Sequence, residues 1–439
     1  MIDRDTYPLW NSPSMSAYLT TLSHENMLVE GRGVRVRDAA GRWFLDARSG
    51  LWNVTLGYDH PRVTEAVERQ LRTLPFANLV GYGRPGAIAV EAAEALLPHL
   101  PVHMNKIRYC SNGSQAVETA VLLSRFLHHS RGDRERLAVF GMWRGYHGLG
   151  SGAGAVTGMS YVHDQSGPLL PEVHHVAGPF EGEGEGEGAD TSGQGLEQTI
   201  TAYGPERVAA VVLELVVGEG GHVLSDAYLH SLERFCRGHG IHLIVDEVST
   251  GMGRTGAFTR TEQVGIRPDM LTLGKGLSSG YAPLSAVVLS DEISALLFDL
   301  DFEQKFLVGS TNDGHPLGLA ASMAVIDTLA DGEVLENVEA MGALLRDGLV
   351  EMAARHPHVA AVRGTGLMQA VEMAVTEDGP TAGGAVADHL RLALEERGVL
   401  VSSLAMVPAV MFIPPLVVTA SDVEEIVTTL DKALADIRY

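Results

Sequence analysis

Five short apolar runs, separated by helix-length segments, constrain this chain more than any other feature. They are "KIRYC" (106–110), "RLAVF" (136–140), "RVAAVVLEL" (207–215), "IHLIVDEV" (241–248) and "DMLTLG" (269–274). A helical pattern, "SQAVETAVLLSRFLHH", follows the first run, and another near 226–239 precedes the fourth. Strand, crossover helix and strand in repetition predict an α/β fold, a mostly parallel sheet flanked by helices on both faces. We expect this large domain to span residues 61–316. From about residue 317 the order becomes helix, helix, short strands in "VRGTGLMQAVEM", helix, "GVLVSS", "VMFIPPLVV" and a helix at 421–437. That predicts a smaller α+β domain over 317–439. The N-terminal segment, 1–60, carries strand-like "GVRVRDAAGRWFLDARSG" with a turn at Ala39–Gly41 and is expected to pack with the small domain.

With 439 residues the chain can bury a large core. A net charge of −23 repels phosphate backbones and anionic lipid, so neither nucleic acid nor membrane is expected as a partner. No apolar run is long enough to cross a bilayer, and the first residues show no basic-then-apolar secretion signal. Two cysteines, Cys110 and Cys236, suit buried thiols in a reducing compartment, predicting a cytoplasmic protein. Alternating Glu and Gly in "FEGEGEGEGADTSGQG" (180–195) predicts a mobile acidic loop inserted in the large domain.

In open parallel sheets, ligands collect beyond the carboxyl ends of the strands. After the first run comes Ser111-Asn112-Gly113-Ser114, small residues at a helix start where backbone amides can hold an anion. By itself this is no more than an ordinary helix cap. After the fourth run come Asp246 and Glu247, whose carboxylates need a cation. An internal salt bridge, for example to Arg254, and a protonated ligand nitrogen are equal alternatives. After the fifth comes Lys275, between two glycines and one of only four lysines in the chain. A partly desolvated amine has a lowered pKa and attacks carbonyls. Anion cup, acid and lysine, in that order at strand ends of one sheet, are the three partners that pyridoxal 5'-phosphate requires. No metal is expected.

These stretches resemble the class III aminotransferases, pyridoxal-phosphate enzymes of fold type I that include ω-aminotransferases. "GYHG", "IVDEVSTGMGRTG", "TLGKGLSSGYAPLSAV" and "TNDGHPLGLAA" are the most specific, and the likeness covers nearly the whole chain. The resemblance implies that Lys275 forms the Schiff base with the cofactor and shuttles the substrate proton. It implies that Asp246 keeps the pyridine nitrogen protonated. Gly113 and Ser114 match the phosphate-binding stretch, Tyr146 the aromatic stacked on the ring, and His147 its neighbour. Val248 matches the residue on the opposite ring face. Glu214 matches a glutamate usually followed by proline, where this chain has Leu215. Thr311 matches a phosphate ligand given to the other subunit, which implies a homodimer with shared active sites.

The chain also departs from that pattern. Where relatives place carboxylate-binding arginines it has Ser402 and Ser403 in "GVLVSS" and Met411 in "VMFIPPL". Neither serine nor methionine can replace a bidentate guanidinium. Glu219 matches the acid that pairs with the second arginine, and without that partner it reads as a solvent-exposed loop acid or a contact for a substrate amine. Arg144 is a candidate carboxylate reader by proximity, and Trp52 and Trp143 fall in segments that border the substrate pocket in relatives. The expected activity is transamination from an amino donor to an aldehyde or ketone, bulky or peptide-like substrates included, in a specialised biosynthetic pathway. An aminomutase, a racemase or epimerase and a decarboxylase share the same residues, and a non-catalytic cofactor-binding protein is the alternative of another class.

Overall fold

The computed structural model describes residues 7–10, 22–81, 83–165, 167–180, 195–301, 303–374 and 383–436. All but the two end residues of the acidic segment 180–195 therefore lie outside the described residues. Near the N-terminus come β1 (Leu28–Arg32), β2 (Arg35–Asp38) and β3 (Trp43–Asp46). The central strands are β4 (Met104–Cys110), β5 (Ala138–Met142), β6 (Val173–Val176), β7 (Val208–Glu214), a hairpin of β8 (Val216–Val217) and β9 (His222–Val223), β10 (His242–Asp246), β11 (Met270–Leu273) and β12 (Ser285–Ser290). Seven of them form one sheet in the order β4-β12-β11-β10-β7-β5-β6. Strand β12 runs antiparallel to both its neighbours, and the other pairings, between β6, β5, β7, β10 and β11, are parallel. This is the mostly parallel sheet that the spacing of apolar runs predicts.

Its middle strands are apolar throughout because both faces are covered. Every residue of β7 and β10 is buried. The helix Gly113–Ser130 lays Ala116, Ala120, Leu123 and Leu127 against Val139, Val212 and Ile244, and the opposite sheet face joins a larger core. The helix Asp226–His239 stops where its apolar spacing does. Ser225 caps its start by accepting from the Tyr228 amide, and Gly240 ends it at φ 65°, a left-handed conformation that glycine adopts without strain.

The last third follows the predicted order. Helices Pro316–Ala330 and Glu333–Ala353 lead to β13 (Val359–Thr365) and β14 (Met368–Met373), then the helix Gly383–Glu396. After it come β15 (Val399–Leu400), β16 (Ser402–Ser403), β17 (Ala409–Phe412) and the helix Ala420–Asp436. Strands β13-β14-β17-β16 form one sheet, while β15 leaves it to pair in parallel with β3. The N-terminal strands are thus tied to the C-terminal third. Arg35 adds ion pairs to Asp422 and Glu425, and the Ser49 hydroxyl donates to the Ile413 carbonyl.

Candidate active site

The strand ends converge as the topology requires. In register, Asp246 lies opposite Glu214 on β7 and Thr272 on β11. Asp246 is 3% exposed and held by three donors. Its Oδ2 accepts from His147 Nδ1 at 2.8 Å, and its Oδ1 from Thr272 Oγ1 at 2.9 Å and the Val248 amide at 3.0 Å. An ionised carboxylate offers about four acceptor positions, so one remains open. Burial opposes charge on His147, yet the hydrogen bond and negative charge of Asp246 outweigh it and raise its pKa above the ordinary imidazole value. The other ring nitrogen, Nε2, is buried and has no partner among the described residues.

The alternative salt bridge to Arg254 does not form. Glu247 instead accepts from the Thr261 amide at 2.6 Å, its hydroxyl at 2.7 Å and the Thr250 hydroxyl at 2.5 Å. Arg254 donates to the carbonyls of Leu367 at 3.0 Å and Pro414 at 2.6 Å, clasping the segments that flank β14 and β17. Burial without a carboxylate pushes its guanidinium down to about 9.

Lys275 opens a 3₁₀ turn directly after β11, with φ 40°, a region that side chains with a Cβ seldom occupy. Its Nζ donates to Ser249 Oγ at 2.6 Å and stands 4.8 Å from the centroid of the Trp52 ring. Burial holds the amine below the usual lysine range, although Glu214 and Asp246 act in the opposite direction. A larger neutral fraction makes it a nucleophile and a base. Burial likewise pushes Glu214 up to about 7, and its carboxyl accepts from the Tyr146 amide at 3.0 Å and the Gly218 amide at 3.4 Å.

The anion cup is present at the start of the helix Gly113–Ser130. Asn112 Oδ1 takes the Gln115 amide at 3.0 Å, and the Gly113 and Ser114 amides sit where a helix has no internal partner for them. Ser114 Oγ accepts from the Leu149 amide at 3.1 Å. Val248 is wedged between two glycines. A Cβ at Gly113 or Gly274 would stand 3.1 or 3.2 Å from Val248 Cγ1, so these glycines make room for the valine.

Trp52 reaches the site and Trp143 does not. The Trp52 indole donates to Ser402 Oγ at 3.0 Å, while Trp143 lies 4.8 Å from His175 in a separate cavity of about 530 Å³. Glu219 corrects the expectation of a solvent-exposed acid: it is 5% exposed and accepts from the Met406 amide. Burial pushes its carboxyl up, against backbone donors at 405–407 and the nearby charge of Arg144. Arg144 itself has φ 68° and donates its amide to the Gly158 carbonyl at 2.7 Å. Thr311 is exposed on the turn before Asp313, and nothing among the described hydrogen bonds joins it to the Lys275 cluster. Sequence reasoning missed Ser249, Thr272 and the contact of Ser402 with Trp52. Ser249 and Thr272 each lie within three residues of a catalytic candidate, the one signal that could have found them.

The site fits pyridoxal 5'-phosphate on its own geometry. It has an amine at a strand end, an acid with one open acceptor position, and a helix start with free amides, all at one sheet edge. The comparisons agree. A family model described as class-III aminotransferase matches residues 20–434. Putrescine–pyruvate aminotransferase of Pseudomonas aeruginosa is 32% identical over 93% of this chain and 90% of its own length. An uncharacterised aminotransferase of Sinorhizobium fredii is 32% identical over 99% and 95%. Among solved structures, the ω-transaminase of Pseudomonas jessenii in complex with PMP superposes with TM-score 0.91 at 31% identity, covering 98% of this chain and 96% of that one. An amine transaminase from an uncultivated Pseudomonas species in its PLP-bound form gives 0.90 at 30%, covering 98% of each.

Fold and site together define a pyridoxal-phosphate enzyme of fold type I. The chain belongs to the class III aminotransferases, and its reaction is pyridoxal-phosphate-dependent transamination.

Proposed function

We propose that this enzyme moves the amino group of an apolar or aromatic amine to a small carbonyl acceptor, in a specialised biosynthetic step. The observation that carries the reading is Trp52. Where relatives place a carboxylate-binding arginine, this chain has Ser402, whose hydroxyl engages the Trp52 indole beside Lys275. The wall next to the reacting amine is therefore flat and apolar, and it narrows the expectation of bulky or peptide-like substrates to groups that fit beside an indole. Arg144, close to the charge of Glu219, is the residue left to meet an acceptor carboxylate.

Pyridoxal phosphate supplies an aldehyde that takes the amine nitrogen and a ring that holds the electron pair left at the substrate carbon. In this chain, Lys275 Nζ would take up the proton from that carbon as the base and give it back as the acid, oriented by its hydrogen bond to Ser249 Oγ. Asp246, fixed by His147, Thr272 and the Val248 amide, keeps a ring nitrogen protonated. Glu214 anchors the Tyr146 amide, and with the cofactor bound Val248 and Tyr146 would border its ring while Gly113 and Ser114 would hold its phosphate. Two copies form the functional dimer, in which Thr311 serves the neighbouring site. The domain division at 60 and 316 and a cytoplasmic location belong to the same reading, the latter supported by two buried free cysteines.

A half-reaction tests the activity. Donor alone should discharge the lysine-bonded absorbance and release one equivalent of keto product. Carbon dioxide release, or inversion without a keto product, would establish one of the other reactions of the fold. Ranking apolar amines against amino acids as donors tests the substrate class, and a preference for α,ω-amino acids would sink it.

A further inference from the structure

The carboxylate of Asp313 is 2% exposed and stands between two segments with different duties. On one side is the start of the cup helix. Asp313 Oδ1 accepts from Ser111 Oγ at 3.1 Å and from Gln115 Nε2 at 2.8 Å, and Gln115 Oε1 in turn takes the Ser111 amide at 2.9 Å. On the other side is the turn that displays Thr311. Oδ1 accepts from Ser310 Oγ at 2.8 Å and Oδ2 from the Ser310 amide at 3.0 Å, while Arg108 on β4 holds the same loop by donating to the Val308 carbonyl. Three side-chain donors meet Oδ1 and the Ser310 amide meets Oδ2, with Ser111 Oγ and Ser310 Oγ themselves 3.0 Å apart, and no cation shares the carboxylate among the described ion pairs. The turn is braced from behind, yet Ser310, Thr311 and Asn312 are exposed on an open cavity of about 560 Å³.

We propose that Asp313 is a positioning residue for two cofactor phosphates at once. It sets its own cup through Ser111 and Gln115, and it sets the neighbouring copy's site through the Ser310–Asn312 turn. This rests on the cofactor and dimer reading above. A buried carboxylate that accepts every bond cannot be replaced by an amide, because one oxygen becomes a donor facing donors. Asp313→Asn therefore loosens both segments while leaving the covalent chemistry at Lys275 untouched.

Mixed dimers separate the two duties. Pairing a Lys275→Ala chain with an Asp313→Asn chain leaves one lysine-bearing site, whose own cup is altered and whose turn comes from an intact neighbour. Placing both substitutions in one chain beside a wild-type chain leaves one site with an intact cup and an altered turn. The readout is the cofactor dissociation constant from the lysine-bonded absorbance, against a Lys275→Ala/wild-type control dimer. Each pair should bind roughly tenfold more weakly than the control, and the two factors should multiply to that of the Asp313→Asn homodimer. Either pair binding like the control overturns the two-site role. Should Asp313→Asn fail to fold, Gln115→Met cuts only the cup arm and should weaken the first arrangement alone; equal weakening in both refutes the separation. Sedimentation of the wild type as a monomer would instead refute the dimer reading.

Discussion

Ser402→Ala removes a single oxygen, yet it should change which amines the enzyme accepts. The Trp52 indole has three neighbours that hold it: Ser402 Oγ at 3.0 Å, Lys275 Nζ 4.8 Å from its centroid, and Gly218, where a Cβ would stand 3.0 Å from the ring. Its backbone is held at φ 66°, so the chain cannot simply slide to follow the ring. A neutral hydrogen bond of this kind is worth about 1 kcal/mol net. Losing it shifts the balance between seated and displaced ring about fivefold, at ~1.4 kcal/mol per factor of ten. In Ser402→Ala, kcat/KM for a compact amine should fall by up to about fivefold, carried by KM, because the lysine and its proton path are intact. A bulkier aromatic amine should lose less or gain, so that the ratio of the two kcat/KM values moves several-fold toward the bulky donor. Trp52→Ala should move the ratio further in the same direction. A Ser402→Ala enzyme with the wild-type ratio would show that the hydroxyl does not seat the ring.

Lys275→Ala should abolish both the lysine-bonded absorbance and turnover, and unchanged turnover would refute the site. His147 has a folded pKa above the ordinary value, so its protonation stabilises the fold below about pH 6.5 and that contribution fades as pH rises past the raised value. The melting-temperature gap between wild type and His147→Gln should therefore be widest under mildly acidic conditions; a gap that grows with pH contradicts the pairing with Asp246. His242, which accepts or donates at Ser124 Oγ and stacks 4.3 Å from His128, shows the opposite sign. Burial pushes His242 down to about 3 and His128 to about 4, so their contribution is complete above pH 6.5 and is lost as pH falls toward those values. At pH 5 each removes up to about 2 kcal/mol, seen as a falling chemical-denaturation midpoint that His242→Asn partly relieves.

The residues proposed to carry the covalent chemistry are legible in the amino-acid order. Asp246 and Lys275 stand directly after apolar runs, and a parallel sheet brings every such end to one edge whatever the loops do between them. Asn112 to Ser114 are legible only in company, because a strand followed by small residues and an apolar helix is by itself an ordinary cap and points to an anion only beside the acid and the lysine. Local sequence misleads where distant segments decide burial. Glu219 in "GEGG" looks like a loop acid in water, but residues 405–407, nearly two hundred positions later, fold over it. Trp143 and Trp52 look alike as pocket aromatics, and only packing sends one to His175 and the other to Lys275.

Backbone periodicity, with short-range rules about what can follow a buried strand, is thus enough to specify the sheet, the order of its strand ends and the three groups proposed to engage the cofactor. What surrounds those groups is settled by tertiary packing: the pairing of His147 with Asp246, Arg254 satisfied by carbonyls instead of an acid, and Ser402 seating Trp52. Packing also makes Asp313 the tie between the cup and the turn bearing Thr311. Each of these joins residues far apart along the chain, where the free energy comes from desolvation and hydrogen bonding in a shared interior that no local pattern encodes.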